Sequence, residues 1–333
     1  MESDLRRGSL VYPGHALTLD RGLAGQGPKD SSEYFSELVS LLQLTPNLAS
    51  AGFRLPGCES YETLPLSGVS LTFLKRLALA TFDQEFLLDR AATIIRLAPN
   101  LEVLHCHDCA EVTFGFLGSK TLGDAPHLQN LTELSLTNSS LTASSLRNLL
   151  GAVGPKLTKV SIRPRRRADS TTSEDDVQFD QVLAALQSWR QTLRELSFCV
   201  HGIQLPEHLP GLRVLREFRA LQILQAEANF FEFYTQRDAL TSTLPPSVRE
   251  LRLLGFSRLT PALQDLLEVF RAGKFPGLSR IEIDDQEFEP ESPPALELRQ
   301  VGADFLYAGV DFVVHECIAD SEDSPIEDSF TTW

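Results

Sequence analysis

The chain has 333 residues, a length that points to two domains or to a repeat array rather than to one ordinary core. Hydrophobic residues make up 42% and charged residues 23%, as in a chain that mostly folds. The formal net charge of −15 argues against nucleic acid and anionic membranes as partners, because like charges repel. Five cysteines without framework spacing, and an N-terminus that leads into no apolar run, predict a reducing intracellular compartment, either cytoplasmic or nuclear.

The first 32 residues show little periodicity. Residues 8–32 contain five glycines and two prolines, which predicts irregular structure. Residues 15–19 are the exception, because they alternate as one short strand would. We therefore expect a mostly irregular segment over residues 1–32.

An LxxLxL pattern then recurs along the chain. Its clearest copy is Leu131-Thr-Glu-Leu134-Ser-Leu136, with a further apolar residue at Leu141, so that apolar residues occupy positions 1, 4, 6 and 11. Positions 4 and 6 of a strand point to the same side, and one repeat alone cannot bury that side, whereas stacked repeats can. The nine matching copies begin at Leu48, Leu74, Leu101, Leu131, Leu157, Leu193, Leu221, Val248 and Leu278.

Helix-like segments separate the predicted strands. Apolar residues recur at three- and four-residue spacing in 82–97, 142–152, 179–189 and 260–272. A strand followed by a helix, many times over, predicts an α/β solenoid over residues 33–315, an open horseshoe with a parallel inner sheet and outer helices.

Three segments depart from the plain repeat. Residues 163–178 lie in the longest spacing, begin with a basic run and lack apolar periodicity, so we expect a mobile, solvated insertion there. A helix and a strand from about residue 295 are expected to form a C-terminal cap, since the last repeat must cover its open edge. Residues 316–333 form an acidic tail that we expect to be disordered, with 330–333 as an alternative docking motif.

The copy that begins at Leu101 carries LxxLxLxxC, ending in Cys109. With a full helix in each long repeat, the chain resembles the ribonuclease-inhibitor-like and cysteine-containing classes of leucine-rich repeat. Over roughly residues 40–315 it resembles the repeat region of fungal F-box/leucine-rich-repeat proteins. In that family the repeats capture a substrate and an N-terminal F-box joins the complex to a ubiquitin ligase. The resemblance therefore implies protein binding.

An F-box would begin with a Leu-Pro pair ahead of an apolar helix, and residues 1–47 contain no such module. Two readings of the function stay open. The first is a plain repeat scaffold that binds a protein partner. The alternative is an F-box-like substrate-recognition subunit whose F-box is missing or degenerate, which would add a ubiquitin-ligase adaptor to its partners.

The densest cluster of metal-ligand residue types is His105-Cys106-His107-Asp108-Cys109. It lacks the second half of a zinc pattern, and the repeat itself explains Cys106 at buried position 6 and Cys109 at position 9, so we expect no metal. Residues 115–121 lack the Gly-Lys-Ser/Thr of a phosphate loop, and GxSxG, HExxH and GxGxxG do not occur. We expect no catalytic residue, no cofactor and no enzymatic activity.

Positions 3, 5 and 7 of each strand are expected to point into the concave face. They hold polar residues and charges of both signs, which suits a protein partner better than a polyanion. We therefore predict a non-catalytic protein–protein interaction scaffold that binds its partner there. The predicted partner-binding residues are Arg76, His105, His107, Glu133, Ser135, Thr137, Lys159, Arg163, Glu195, Gln225, Glu227, Glu250 and Arg252.

Overall fold

The structure is a computed structural model, and its described residues divide between Leu157 and Thr158 into two compact units. The expected insertion at 163–178 and the expected tail at 316–333 lie largely outside these residues. The structure describes residues 16–19, 31–55, 69–81, 86–110, 128–165, 177–199, 212–232, 237–255, 259–285 and 293–316.

The first unit combines parallel strands with three helices. Its strands are β1 (Ala16–Leu19), β2 (Ser50–Leu55), β3 (Arg76–Thr81), β4 (Phe86–Leu87), β5 (Val103–His107), β6 (Cys109–Ala110) and β7 (Glu133–Ser139). Its helices are α1 (Ser31–Leu44), α2 (Leu88–Arg96) and α3 (Ala143–Gly151). The main sheet runs β1-β2-β3-β5-β7, all parallel, and the short β4 and β6 pair with each other.

The second unit has the same plan. Its strands are β8 (Lys159–Pro164), β9 (Glu195–Phe198), β10 (Ile223–Glu227), β11 (Glu250–Leu254), β12 (Arg280–Asp285) and β13 (Asp311–Glu316). They pair in parallel in chain order. The helices are α4 (Phe179–Ala185), α5 (Asn229–Glu232), α6 (Ala239–Thr243), α7 (Thr260–Arg271) and α8 (Pro293–Tyr307), with 3₁₀ turns at Gln187–Trp189 and Leu212–Glu217.

The strands align by repeat position within each unit, as the sequence pattern predicts. In the first unit, position 4 aligns Leu17, Ala51, Leu77, Leu104 and Leu134. In the second unit, position 4 aligns Val160, Leu196, Leu224, Leu251, Ile281 and Phe312. All nine sequence copies coincide with a strand of this α/β architecture, namely β2, β3, β5, β7 and β8 to β12.

Two further strands extend the pattern beyond the nine copies. Strand β1 lies within the segment expected to be mostly irregular, and Leu17 occupies position 4 there. Strand β13 places Phe312 at position 4, so the helix and strand expected to form a distinct cap continue the alignment of the repeats. Both segments were expected to be strands but were not counted as copies of the repeat, because position 1 falls on a glycine in each, Gly14 and Gly309.

Strand alternation builds the core. From β2 to β12, every position-4 and position-6 side chain of the main-sheet strands is at most 3% exposed. Each such aliphatic side chain contributes roughly 1.5–3 kcal/mol when it leaves water. The helices supply the opposing layer, for example Leu146 and Leu149 of α3 and Leu263 and Leu266 of α7, all fully buried.

Helix boundaries follow local signals. Helix α3 begins after Thr142, whose hydroxyl accepts a hydrogen bond from the backbone N–H of Ser145 at 3.1 Å. Helix α7 carries a proline in its first turn and is followed by Gly273 at φ +82°, a conformation that favours glycine. No helix among the described residues is both long and apolar enough to cross a membrane.

Candidate functional site

Alternate strand positions create a second, polar side of the strands. We call the side chains at positions 3, 5 and 7 the polar strand face of each unit. All thirteen residues predicted to bind a partner lie on described strands, and twelve of them are partly or fully exposed. The exception is Glu227, which is only 7% exposed.

The face of the first unit centres on two histidines. His105 Nε2 lies 3.1 Å from Glu133 Oε1 on the neighbouring strand. His107 Nδ1 lies 3.0 Å from Thr137 Oγ1, and its Nε2 lies 3.3 Å from Asp108 Oδ2. The rings are thereby held in place at the surface of the first unit, where both side chains are partly exposed. Across the described ranges, no three His, Cys, Asp or Glu residues are grouped so that they could hold a metal ion.

The two cysteines beside these histidines face the core. Cys106 occupies position 6 and Cys109 position 9, and both are buried. The backbone N–H of Cys109 donates to Ser139 Oγ at 3.3 Å, and its Sγ lies 3.0 Å from the same oxygen. The hydrogen bond with Cys109, together with burial, raises the pKa of the Cys106 thiol well above its usual range. The Cys106 thiol is therefore protonated at neutral pH.

The face of the second unit begins with matched polar pairs. Lys159 Nζ lies 3.4 Å from Glu195 Oε2, which links position 3 of β8 and β9. On the next pair of strands, the Ser197 hydroxyl donates to Gln225 Oε1 at 3.2 Å. Both contacts join side chains that the strand alignment places opposite one another on neighbouring strands, so each side chain is held in position by its neighbour.

An ion-pair network continues the face over β11 to β13. Arg252 lies 3.1 Å from Glu250 and 3.1 Å from Glu282, and Arg280 lies 2.6 Å from Glu282 and 3.5 Å from Asp311. Exposed pairs of this kind add little to stability, typically about 0–1 kcal/mol each. Their main effect is to fix long side chains in position. Arg280, Glu282 and Asp311 were absent from the predicted site, although positions 3 and 5 of the repeat identify them.

Position 7 belongs to the polar strand face only in some strands. Ala80, Cys199, Glu227 and Leu254 all occupy position 7 and are buried. Burial is the main cause that raises the pKa of the Cys199 thiol. From β3 to β12, the exposed face is therefore carried by positions 3 and 5, except at the buried Ala78, with position 7 added at His107, Thr137, Arg163 and Asp284.

A separate cleft opens on the helical side of the second unit. Its volume is about 390 Å³, and Leu244 and Phe275 contribute buried apolar wall while Arg216 and Lys274 contribute charge. Within it, the Thr241 hydroxyl donates to Asp265 Oδ2 at 2.6 Å. Asp238, Asp265 and Ser242 also line the cleft, and its lining contains no histidine or cysteine.

The segment in which an F-box would precede the repeats contains repeat elements where the structure describes it. Strand β1, helix α1 and strand β2 follow one another as a strand–helix–strand unit, and β1 pairs with β2 in parallel. Leu38 and Leu42 of α1 are buried as the helices of later repeats are. This arrangement offers no support to the F-box alternative.

No family model matches the sequence, and no curated protein matches it. Among solved structures, an internalin from Listeria monocytogenes is similar at 13% identity over 86% of this chain and 68% of that chain, with a TM-score of 0.39. Likeness at that level carries no argument about function, and the fold rests on the strand alignment of the chain itself.

Proposed function

We propose that this chain is a leucine-rich-repeat solenoid that acts as a non-catalytic protein–protein interaction scaffold, and that its partner protein contacts the polar strand face. One observation carries the proposal. From β3 to β12, the main-sheet strands of both units hold buried side chains at positions 4 and 6 and mostly polar, partly exposed side chains at positions 3 and 5, with Val103, Ile223 and the buried Ala78 as the apolar exceptions. The core thus fixes a broad polar surface in place.

The chemistry of the surface favours a protein over other ligands. Its charges have both signs and already meet opposite charges within the face, as in Lys159–Glu195 and the network around Arg252. A polyanion would need an excess of positive charge, which this chain of net charge −15 does not offer. A protein surface can match an alternating pattern, and mismatched charges would exclude other proteins.

The size of the surface also suits a protein. Six strands at about 4.8 Å spacing make the second unit's sheet about 24 Å wide. Each partner in a stable complex typically buries about 800 Å², an area that a sheet of this width approaches with its flanking turns. Ordered side chains lose little conformational freedom on binding, which favours affinity.

Charge exchange tests the proposal. Replacing Lys159 with Glu and Glu195 with Lys together keeps the ion pair but inverts the charges presented on the polar strand face. In the first unit, His105→Glu with Glu133→His exchanges the two side chains whose Nε2 and Oε1 atoms lie 3.1 Å apart. The matched control exchanges Arg237 and Glu268, an exposed ion pair whose glutamate lies on α7. Affinity capture from native extract, followed by quantitative mass spectrometry, compares these variants with wild type.

We expect equal melting temperatures for all variants, because exposed substitutions usually change stability by about 0.5 kcal/mol or less. We expect that a strand-face exchange reduces the yield of specific partners and that the Arg237–Glu268 exchange does not. If both strand-face exchanges recover the wild-type set of partners at wild-type yield, the polar strand face is not the binding site.

A further inference from the structure

Strand β13 is the last strand of the second unit, and one of its edges has no neighbour among the described strands. The backbone N–H of Asp311 donates to the carbonyl of Ser279 at 2.9 Å, so Asp311 directs its backbone groups toward β12. Because these groups alternate along a strand, Phe312 and Val314 direct theirs to the open edge. An edge of this kind can pair with a further strand.

The hydrophobic core is also incompletely covered beside this edge. Positions 4 and 6 of the main-sheet strands β2 to β12 are at most 3% exposed. In β13 the same positions hold Phe312 and Val314, and both are partly exposed. Helix α8 packs against β13, and its Leu296, Leu306 and Tyr307 are 56%, 55% and 92% exposed. At about 100° per residue, these three side chains share an arc of about 100°.

The apolar arc of α8 lies on the same side as the open edge. Helix α7 packs against α8. Asp304 and Ala308 are half-buried on the flank opposite Leu306, as expected of the side that α7 covers. The exposed arc therefore faces away from α7, so the β13 edge and the α8 arc form one incomplete end of the second unit.

Two copies of this edge can pair with each other in an antiparallel arrangement centred on Val313. Phe312 of one copy then lies opposite Val314 of the other, and each such pair exchanges both of its N–H···O bonds. Aromatic and β-branched side chains form favourable cross-strand pairs. The two-fold axis stands perpendicular to the joined sheet, so the core sides of both copies face the same way.

Charge favours this register over its neighbours. Asp311 of one copy lies opposite His315 of the other, and both are exposed. Asp311 contacts Arg280 at 3.5 Å, but its side chain is 52% exposed and can accept a second hydrogen bond from the imidazole. A shift of the register by two residues sets either Asp311 or His315 opposite Val313 and loses this pair.

The helices are complementary about the same axis. A Cβ added at Gly302 would lie 2.6 Å from Phe312 Cδ1, so the middle of α8 lies beside Phe312 and close to the axis. Along the helix, Leu296 is about 9 Å to one side of Gly302 and Leu306 about 6 Å to the other. Two antiparallel copies of α8 therefore bring Leu296 of one copy near Leu306 and Tyr307 of the other.

We infer that the chain forms a two-fold symmetric dimer in which the β13 strands pair antiparallel about Val313 and the α8 helices pack against each other. This contact is additional to a partner on the polar strand face and does not depend on it. A second copy is favoured over an unrelated protein because each feature of the end meets its complement under one two-fold axis. Such an interface closes on itself, so this surface joins two copies and no more.

Sedimentation equilibrium tests for the dimer. Interfaces below about 1,200 Å² are weak, and we expect a dissociation constant in the micromolar range, measured from about 1 to about 300 μM protein. Leu306→Ser with Tyr307→Ser should raise that constant at least about tenfold. The matched control, Phe73→Ser, removes an aromatic side chain that is 59% exposed in the first unit and should leave the constant unchanged. A wild-type chain that stays monomeric over the whole range would overturn the inference.

Disulfide cross-linking tests the register. In a Cys58→Ser, Cys317→Ser background, the other three cysteines are buried. Residues at position 313 face each other as a non-hydrogen-bonded pair, with Cα atoms about 4.5 Å apart, which suits a disulfide. Diamide should therefore cross-link the Val313→Cys chain to itself.

Two further cysteine variants supply the matched control. Residue 311 lies about 14 Å from residue 311 of the other copy, and the same holds for residue 315. Asp311→Cys and His315→Cys chains should therefore fail to cross-link alone and should cross-link when mixed. A dimer in which Val313→Cys does not cross-link, or in which Asp311→Cys cross-links alone as readily, would overturn the proposed interface.

Discussion

Backbone conformation selects the residue at position 8, where each strand turns away from the sheet. Asp108, Asn138 and Gly255 all occupy this position, with φ of 58°, 51° and 66°. Asparagine, aspartate and glycine tolerate this left-handed region better than other residues. The side chains of Asn138 and Asp108 also hydrogen-bond to each other, so consecutive turns of the first unit are joined to one another.

Substitutions at Asn138 test this role. Both Asn138→Gly and Asn138→Ala remove the contact with Asp108, but only alanine keeps a Cβ in the left-handed region. We expect the alanine variant to be less stable than the glycine variant by about 1–2 kcal/mol. Urea denaturation measures the difference. Equal unfolding midpoints would show that position 8 is not held in this conformation.

Adjacent strand residues should respond oppositely to the same introduced charge. Leu134, at position 4 of β7, is fully buried, whereas Ser135 is partly exposed on the polar strand face. An aspartate at Leu134 leaves an unpaired carboxylate in the core and should cost about 3 kcal/mol or more. Ser135→Asp should cost about 0.5 kcal/mol or less. Thermal denaturation compares the two variants, and a wild-type melting curve for Leu134→Asp would contradict the alignment of β7.

At the scale of elements, aromatic packing joins a strand to its helices in the second unit. The rings of Phe179 in α4, Phe198 in β9 and Phe230 in α5 stack with centroids 4.9–5.6 Å apart. All three side chains are buried. The three phenylalanines fill the space between strand and helices that leucines fill in other repeats. The helices of this cluster, α4 and α5, are short.

Truncation of Phe198 should therefore loosen α4 and α5 as well as β9. We expect Phe198→Ala to reduce the free energy of unfolding by about 3–5 kcal/mol, through lost burial and the cavity left behind. Phe198→Leu serves as the control, because it keeps an apolar side chain and removes the ring stacking, which is worth about 0.5–1.5 kcal/mol per pair. Guanidinium denaturation gives both values. A leucine variant as unstable as the alanine variant would show that the rings, rather than burial, dominate.

The sequence predicts the repeating elements well because buried leucines mark them. The nine strand copies and the segments that became α3, α4 and α7 follow directly from apolar spacing. Helix α1 was not predicted, because the glycines and prolines in the residues before it indicate irregular structure. Leu38 and Leu42 do show the four-residue spacing of a helix. Strand β13 lacks the leading leucine and was interpreted as part of a cap.

The polar strand face is less predictable than the core. Alternation identifies which residues point away from positions 4 and 6, and this suffices for Lys159 and Glu195. It does not reveal that Glu227 is buried, since the end of a strand depends on how the following segment folds over it. Nor does it indicate which charges meet, because Arg252 and Glu282 come together only through the alignment of separate strands.

For the molecule as a whole, one rule holds in both units: the side chain at position 5 points to the polar strand face, and the side chain at position 6 points to the core. Thiol labelling tests this rule across the chain. In a background with Cys58→Ser and Cys317→Ser, the remaining cysteines, Cys106, Cys109 and Cys199, are buried. Single cysteines are then introduced in neighbouring pairs, Ser135→Cys and Leu136→Cys in the first unit, Arg252→Cys and Leu253→Cys in the second.

The rate of maleimide modification under native conditions is the decisive measurement. We expect rapid modification at residues 135 and 252. At residues 136 and 253 we expect modification only as fast as the protein opens, because a buried thiol must first reach solvent. Equal rates within either pair would contradict the alternation, and with it both the repeat alignment and the polar strand face of that unit.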